Sequence, residues 1–157
     1  YDHAVTWGQT VKVWIVSYIG NFVGCFLFAG IWVLAGGSGT KEFFAGMIDG
    51  KLSIAPGEMF FRAVLCNIFV CLAVACGTKC KEEAAKFLMI VICISGFVIA
   101  GFEHCIANMA LFTAVGFMVP GVSISSMLFS MLIVTLGNMV GGAVLLALPL
   151  RKMSADK

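Results

Sequence analysis

Glu103 and His104 stand side by side, with Asn108 close behind, inside an apolar run from Phe87 to Val119. A charge at the centre of a bilayer costs about 2.5–3.5 kcal/mol even on insertion scales, so ionisable groups in such runs face a bundle interior or a watered path. Imidazole changes charge near neutral pH and can pass a proton or donate a hydrogen bond to an anion. A lone intramembrane histidine also serves as a structural hydrogen-bond partner. A haem ligand would need a second axial ligand, and the other histidine, His3, lies outside the apolar segments. A free Glu103 carboxylate beside a path would repel anions, so the residue is expected to be paired. Asn67, Asn108 and Lys51 are all candidates for that pairing.

Seven cysteines offer a second possible chemistry. Cys25, Cys66, Cys71, Cys93 and Cys105 lie within apolar runs, where cysteine behaves as a small hydrophobe, and their spacing is not that of a disulfide framework. Cys76 and Cys80 are four apart near a membrane edge, a spacing that predicts neither a metal site nor a redox centre. No metal, cofactor or enzymatic centre is expected.

The elements that must position these residues follow from composition. The chain is 61% apolar and 11% charged, where an ordinary soluble domain has about a quarter of its residues charged. The few charges are confined to short stretches, and the runs between them approach or exceed the roughly 20 helical residues needed to cross about 30 Å of hydrocarbon. This predicts an all-α polytopic membrane protein. A net charge of +2, scattered along the chain, excludes a nucleic-acid surface. The first apolar segment is too long for a signal-peptide core of about 7 to 15 residues, so the chain reads as a piece of something longer.

Four segments are predicted: A over 13–35, B over 58–78 with its apolar part from Ala63, C over 87–119, and D over 127–150. Gly36, Gly37, Gly39, Pro56 and Gly57 mark 36–62 as a loop, and Pro120 with Gly121 turns C into D. Lysine and arginine set orientation. Lys12, Lys79, Lys81, Lys86, Arg151, Lys152 and Lys157 fall on one side, and Lys41, Lys51 and Arg62 on the other. Both termini are therefore expected to be cytoplasmic.

Gly20-Asn21-Phe22-Val23-Gly24 in A recurs as Gly137-Asn138-Met139-Val140-Gly141 in D. Each copy offers a glycine pair, Gly20 with Gly24 and Gly137 with Gly141, as a flat face for close helix packing. Three segment crossings separate the copies, so they enter the membrane in opposite directions, the pattern of an inverted repeat. If B, C and D form one three-helix unit, A closes the other, two helices precede Tyr1, and the intact protein has six spans. Segment C would be about 50 Å long as one straight helix, so it is expected to break between Gly101 and Asn108. The amides that open the second half of a broken helix suit an anion.

These residues resemble the formate/nitrite transporter family. Ala63-Val64-Leu65-Cys66-Asn67-Ile68-Phe69-Val70-Cys71-Leu72-Ala73 is similar to one of its two signatures, and Gly101-Phe102-Glu103-His104-Cys105-Ile106-Ala107-Asn108-Met109 to the segment bearing its central histidine. The resemblance covers essentially the whole chain, as the family's third to sixth helices. It implies an aquaporin-like bundle, a homopentamer with a pore in each protomer, and a cell-membrane location. It also implies roles: His104 as the central pore histidine, Phe97 as a constriction aromatic, Lys51 as a vestibule lysine, and Asn67, Glu103 and Asn108 as a polar network. The family's other signature lies upstream of Tyr1, so a complete pore is not encoded here.

An apolar constriction resists a bare anion by several kcal/mol. Protonating a carboxylate of ordinary pKa at pH 7 costs about 4 kcal/mol, so transport of the anion and of its neutral acid are comparable. Formate, nitrite, hydrosulfide and short monocarboxylates all fit the resemblance. Two rival readings are a channel for small neutral solutes, which Lys51 and His104 argue against, and a membrane-anchor subunit of a redox enzyme, which a single buried histidine disfavours.

Overall fold

The computed structural model describes residues 6–155, with side chains through residue 153; His3 and Lys157 lie outside the described residues. The described residues form helices joined by short turns: α1 (Trp7–Leu34), a 3-10 turn (Gly37–Thr40), α2 (Lys41–Leu52), α3 (Pro56–Lys79), α4 (Glu83–Ile99), α5 (Cys105–Met118), α6 (Ile124–Met139), a π-helical stretch (Val140–Ala147) and α7 (Leu148–Ala155). Among them, Trp7–Leu34, Pro56–Lys79 and Ile124–Met153 are long and apolar enough to cross a membrane. Segment C is carried by two shorter helices, α4 of 17 residues and α5 of 14.

The chain divides into two compact units, one of Tyr1–Gly50 with Ile106–Val122 and one of Lys51–Cys105 with Ser123–Lys157. In the first, α1 opens on a capping box: Thr6 Oγ1 accepts from the Gln9 amide, and Gln9 Oε1 accepts from the Thr6 amide. Gly36, at φ 93°, ends α1 in a left-handed conformation that a β-carbon would strain. The core joins Ala29, Ala114 and Met118, flanked by Val33, Phe44 and Val119, with the Phe26 and Phe117 rings 4.9 Å apart. Most of the rest of α1 is exposed apolar surface, as expected of a helix solvated by lipid.

The stretch 36–62 is not the plain loop that its glycines and proline suggest, because α2 occupies its middle. Phe44 and Ile48, one turn apart, give that helix an apolar stripe. Phe44 meets Trp32 edge-on at 4.9 Å, and Ile48 is buried. The breakers flank the helix and leave its interior intact.

In the second unit, glycine lets α6 and the π-helical stretch meet α3 backbone to backbone. A β-carbon on Gly137 would lie 2.6 Å from both Ala63 Cβ and the Phe60 carbonyl oxygen. One on Gly141 would overlap the Val64 carbonyl, and one on Gly142 would come within 2.5 Å of Asn67 Nδ2. Residues 60–71 of α3 thus meet residues 137–142 in ascending order, so the two helices run in the same direction. α4 runs the opposite way, with Gly77 against Ile90 and Gly96 against Phe69. The lysine-bearing end of α3, the start of α4 and Arg151 with Lys152 of α7 therefore share one end of this unit.

The two glycine pairs differ in what surrounds them. Around Gly20 and Gly24, nothing among the described residues comes within 4 Å of a built β-carbon, so the close packing expected of the first copy has no partner there. Gly141→Ala and Gly137→Ala in the full-length protein are expected to cost about 1–3 kcal/mol each, since the displaced atoms are backbone or short side chain. Gly46→Ala, at an open helical position, should be neutral or stabilising by up to about 1 kcal/mol. Denaturant unfolding of the three variants in detergent checks the contrast.

Candidate functional site

The interruption of segment C begins with one glycine. Ala100 caps α4, and Gly101 takes φ 67°, a left-handed geometry that glycine adopts without steric cost. The Gly101 amide donates to the Val98 carbonyl at 3.1 Å and the Phe102 amide to the Phe97 carbonyl at 3.0 Å. This paired arrangement is a Schellman motif, which terminates a helix while keeping its last carbonyls bonded. Phe102, Glu103 and His104 then run without helical structure until Cys105 opens α5.

Asn138 of α6 holds that interruption in place. Its Oδ1 accepts from the Cys105 amide at 2.9 Å, while Nδ2 donates to the Ala63 carbonyl at 2.8 Å and the Glu103 carbonyl at 2.9 Å. One buried side chain thereby ties α3, the break and the start of α5 to α6. The donor and acceptor demands of these partners leave only one orientation of the amide. The Asn138 carbonyl takes a bond of 2.6 Å from Asn67 Nδ2. This bond lies just before the π-helical stretch, whose pairing is shifted from i+4 to i+5.

The Glu103 side chain, 3% exposed, accepts from Lys51 Nζ at 2.8 Å on both carboxylate oxygens. Of the three candidate partners, Lys51 at the end of α2 makes the ion pair. Arg62, bonded to Glu58 at 2.5 Å, also reaches the Gly101 carbonyl at 3.4 Å. His104 is half-buried, its ring stacked on Phe97 with centroids 5.8 Å apart and planes 22° apart. Phe97 is itself buried in the last turn of α4.

Lys51, Asn67, Phe97, Glu103 and His104 therefore all lie within one unit, joined through Asn138. Asn108 is fully buried in the first turn of α5, in the other unit, and Asn21 is exposed on α1. Sequence reasoning assigned Asn138 to packing alone and did not single out Arg62 as part of the site. The cost of burying an amide among glycines was the available signal for Asn138, because such a group persists only with several partners.

Two substitutions test this arrangement through stability. Lys51→Met leaves a buried carboxylate uncompensated and should cost about 3–5 kcal/mol, and adding Glu103→Gln should recover part of the loss. Asn138→Asp keeps the shape, but sets an acceptor against two carbonyls, and should cost at least about 2 kcal/mol. Unfolding midpoints of the full-length variants in detergent measure both effects.

A family profile described as formate/nitrite transporter matches residues 1–151. The chain is 34% identical over 151 residues to the uncharacterized transporter YwcJ of Bacillus subtilis, covering 90% of this chain and 57% of that protein. It is 32% identical over 150 residues to the nitrite transporter NirC of Escherichia coli, covering 92% of this chain and 56% of that one. The chain thus spans a little over half the length of these relatives. A solved structure, a pentameric formate channel with formate bound, superposes with a TM-score of 0.84 at 26% identity, over 97% of this chain and 69% of its own. With its long apolar helices the chain is part of an integral membrane protein, and its relatives are transporters and channels, not enzymes. This chain belongs to the formate/nitrite transporter family.

Proposed function

We propose that the intact protein moves small monovalent anions such as formate, nitrite or hydrosulfide across the cell membrane, through a pore in each protomer of a homopentamer. The observation that carries this reading is the non-helical stretch 102–104, where the His104 ring stacks on Phe97 and the chain re-enters a helix at the next residue. Peptide groups outside helical pairing at membrane depth are tolerated only where protein or a water-filled cavity satisfies them, and the start of a helix is suited to negative charge. The formate bound by the solved neighbour and the nitrite named for NirC support the substrate class. The neighbour's pentameric state supports the assembly.

The remaining architecture follows the same reading. Two further helices precede Tyr1, making six spans in an aquaporin-like inverted repeat that relates Asn21 to Asn138, with the C-terminus cytoplasmic. Phe97 forms part of an apolar constriction beside His104, and Asn67 and Asn108 belong to the polar support of the pathway. Lys51 acts together with Glu103: the pair is neutral as a unit, and loss of the lysine alone exposes passing anions to an uncompensated carboxylate.

His104 is the group whose charge can follow both pH and an arriving anion. In liposomes containing the full-length protein, His104→Asn or His104→Phe should abolish or strongly change the pH dependence of formate and nitrite flux. Lys51→Met should lower flux across the whole pH range. An unchanged pH profile in the His104 variants, at matched pentamer yield, would reduce the residue to a structural hydrogen-bond partner.

A further inference from the structure

Two cations meet the break between α4 and α5, and they differ in how firmly they are held. Lys51 Nζ bonds both oxygens of the Glu103 carboxylate, with the two side chains 21% and 3% exposed. Its charge is cancelled at contact distance, inside the unit. Arg62, in the second turn of α3, is 38% exposed, and its partner Glu58, one turn earlier, is 53% exposed. An exposed pair of this kind is screened by water and contributes little to stability. The guanidinium can therefore exchange its partner at small cost, whereas the Lys51 ammonium cannot.

The contacts of Arg62 suit a small anion. Nη2 donates to Glu58 Oε1 at 2.5 Å. Nη1 donates to the Gly101 carbonyl at 3.4 Å, longer than the usual range of about 2.7–3.2 Å. Among the described residues these bonds engage two of the five N–H donors of the guanidinium. A guanidinium presents parallel N–H groups that match the two oxygens of a carboxylate, a geometry that an ammonium lacks. The Glu58 carboxylate on Nη2 is the same chemical group as formate, so it marks where a free anion with two oxygens would sit. The Gly101 contact holds that position at the first residue after α4, just ahead of the stretch 102–104.

Resting on the transport reading above, we propose that Arg62 captures the anion before it reaches His104. It takes monovalent anions with two oxygens, such as formate and nitrite, bidentately in place of the Glu58 carboxylate. Glu58 is then a tethered competitor that keeps the guanidinium placed and keeps capture reversible. Lys51, neutralised by Glu103, does not supply this charge.

The test is saturable uptake of formate and of nitrite by liposomes holding the full-length protein, unsubstituted and as Arg62→Lys, Arg62→Gln and Glu58→Gln, at matched pentamer yield. Loss of a bidentate, charge-assisted contact predicts a KM raised about fivefold or more in both Arg62 variants, with maximal flux within about twofold. Arg62→Lys keeps the charge and lacks the fork, so a KM equal to that of the unsubstituted protein would reject bidentate capture. Glu58→Gln removes the competitor and should lower KM for both anions, a direction that a merely structural pair does not give. The same change in an Arg62→Gln background should leave KM where it is. A KM unchanged or raised in Glu58→Gln, or lowered equally in both backgrounds, overturns the proposal; Glu58→Gln alone decides if the arginine variants do not assemble. Saturable flux with a KM that the Arg62 substitutions do not move overturns the capture role alone. Absence of saturable flux of either anion in the unsubstituted protein would bring down the transport reading, and the capture role with it.

Discussion

A helix that stops inside a membrane leaves amides and carbonyls that hydrocarbon cannot solvate, and each one left unmet costs several kcal/mol. The second unit meets this constraint around α4 and α5 with very few parts. The Schellman turn at Gly101 keeps the last carbonyls of α4 bonded, and the Asn138 side chain takes up the Cys105 amide together with the Glu103 and Ala63 carbonyls. Almost everything else in this unit can be traced to the need to bring that asparagine to the break. Gly137 and Gly141 allow α6 to approach α3 at backbone distance, and Gly142 clears the space that Asn67 occupies.

Glu103 lends its carbonyl to the clamp and its carboxylate to Lys51, so a single residue links the polar core of α6 to the end of α2. His104 follows it directly, and its ring orientation is set on one side by Phe97. On the proposed reading, a satisfied backbone around the imidazole suits a group that must keep its position while its charge changes. On the same reading, the ion pair also offsets a carboxylate that would otherwise repel anions.

Much of this organisation can be read from residue types and spacing, and its limits have physical causes. Gly101 between two apolar stretches marks where a helix can end, and the expense of burying Glu103 and His104 points to a reason for the ending. Which partner Glu103 takes depends on how the end of α2 folds back, and α2 is concealed because the glycines and proline around it outweigh a stripe as short as Phe44 and Ile48. The Gly-Asn repeat illustrates the same limit more sharply. Asn21 and Asn138 sit in near-identical strings, yet Asn138 is buried with four bonds through its side chain and carbonyl, while Asn21 is exposed. Sequence records the capacity of an asparagine to bridge; only the neighbouring helix determines whether it does.

The central claim is that the break at residues 102–104 lies on the anion path. It is tested most directly by nitrogen-15 NMR of histidine-labelled full-length protein in lipid, with the His104 signal assigned by its loss in a His104→Asn variant. The account predicts that the His104 ring nitrogens shift in a saturable way as formate or nitrite is added, and that the pH at which they titrate moves with anion concentration. A His104 signal that stays constant as saturating anion is added to protein transporting that anion would contradict it.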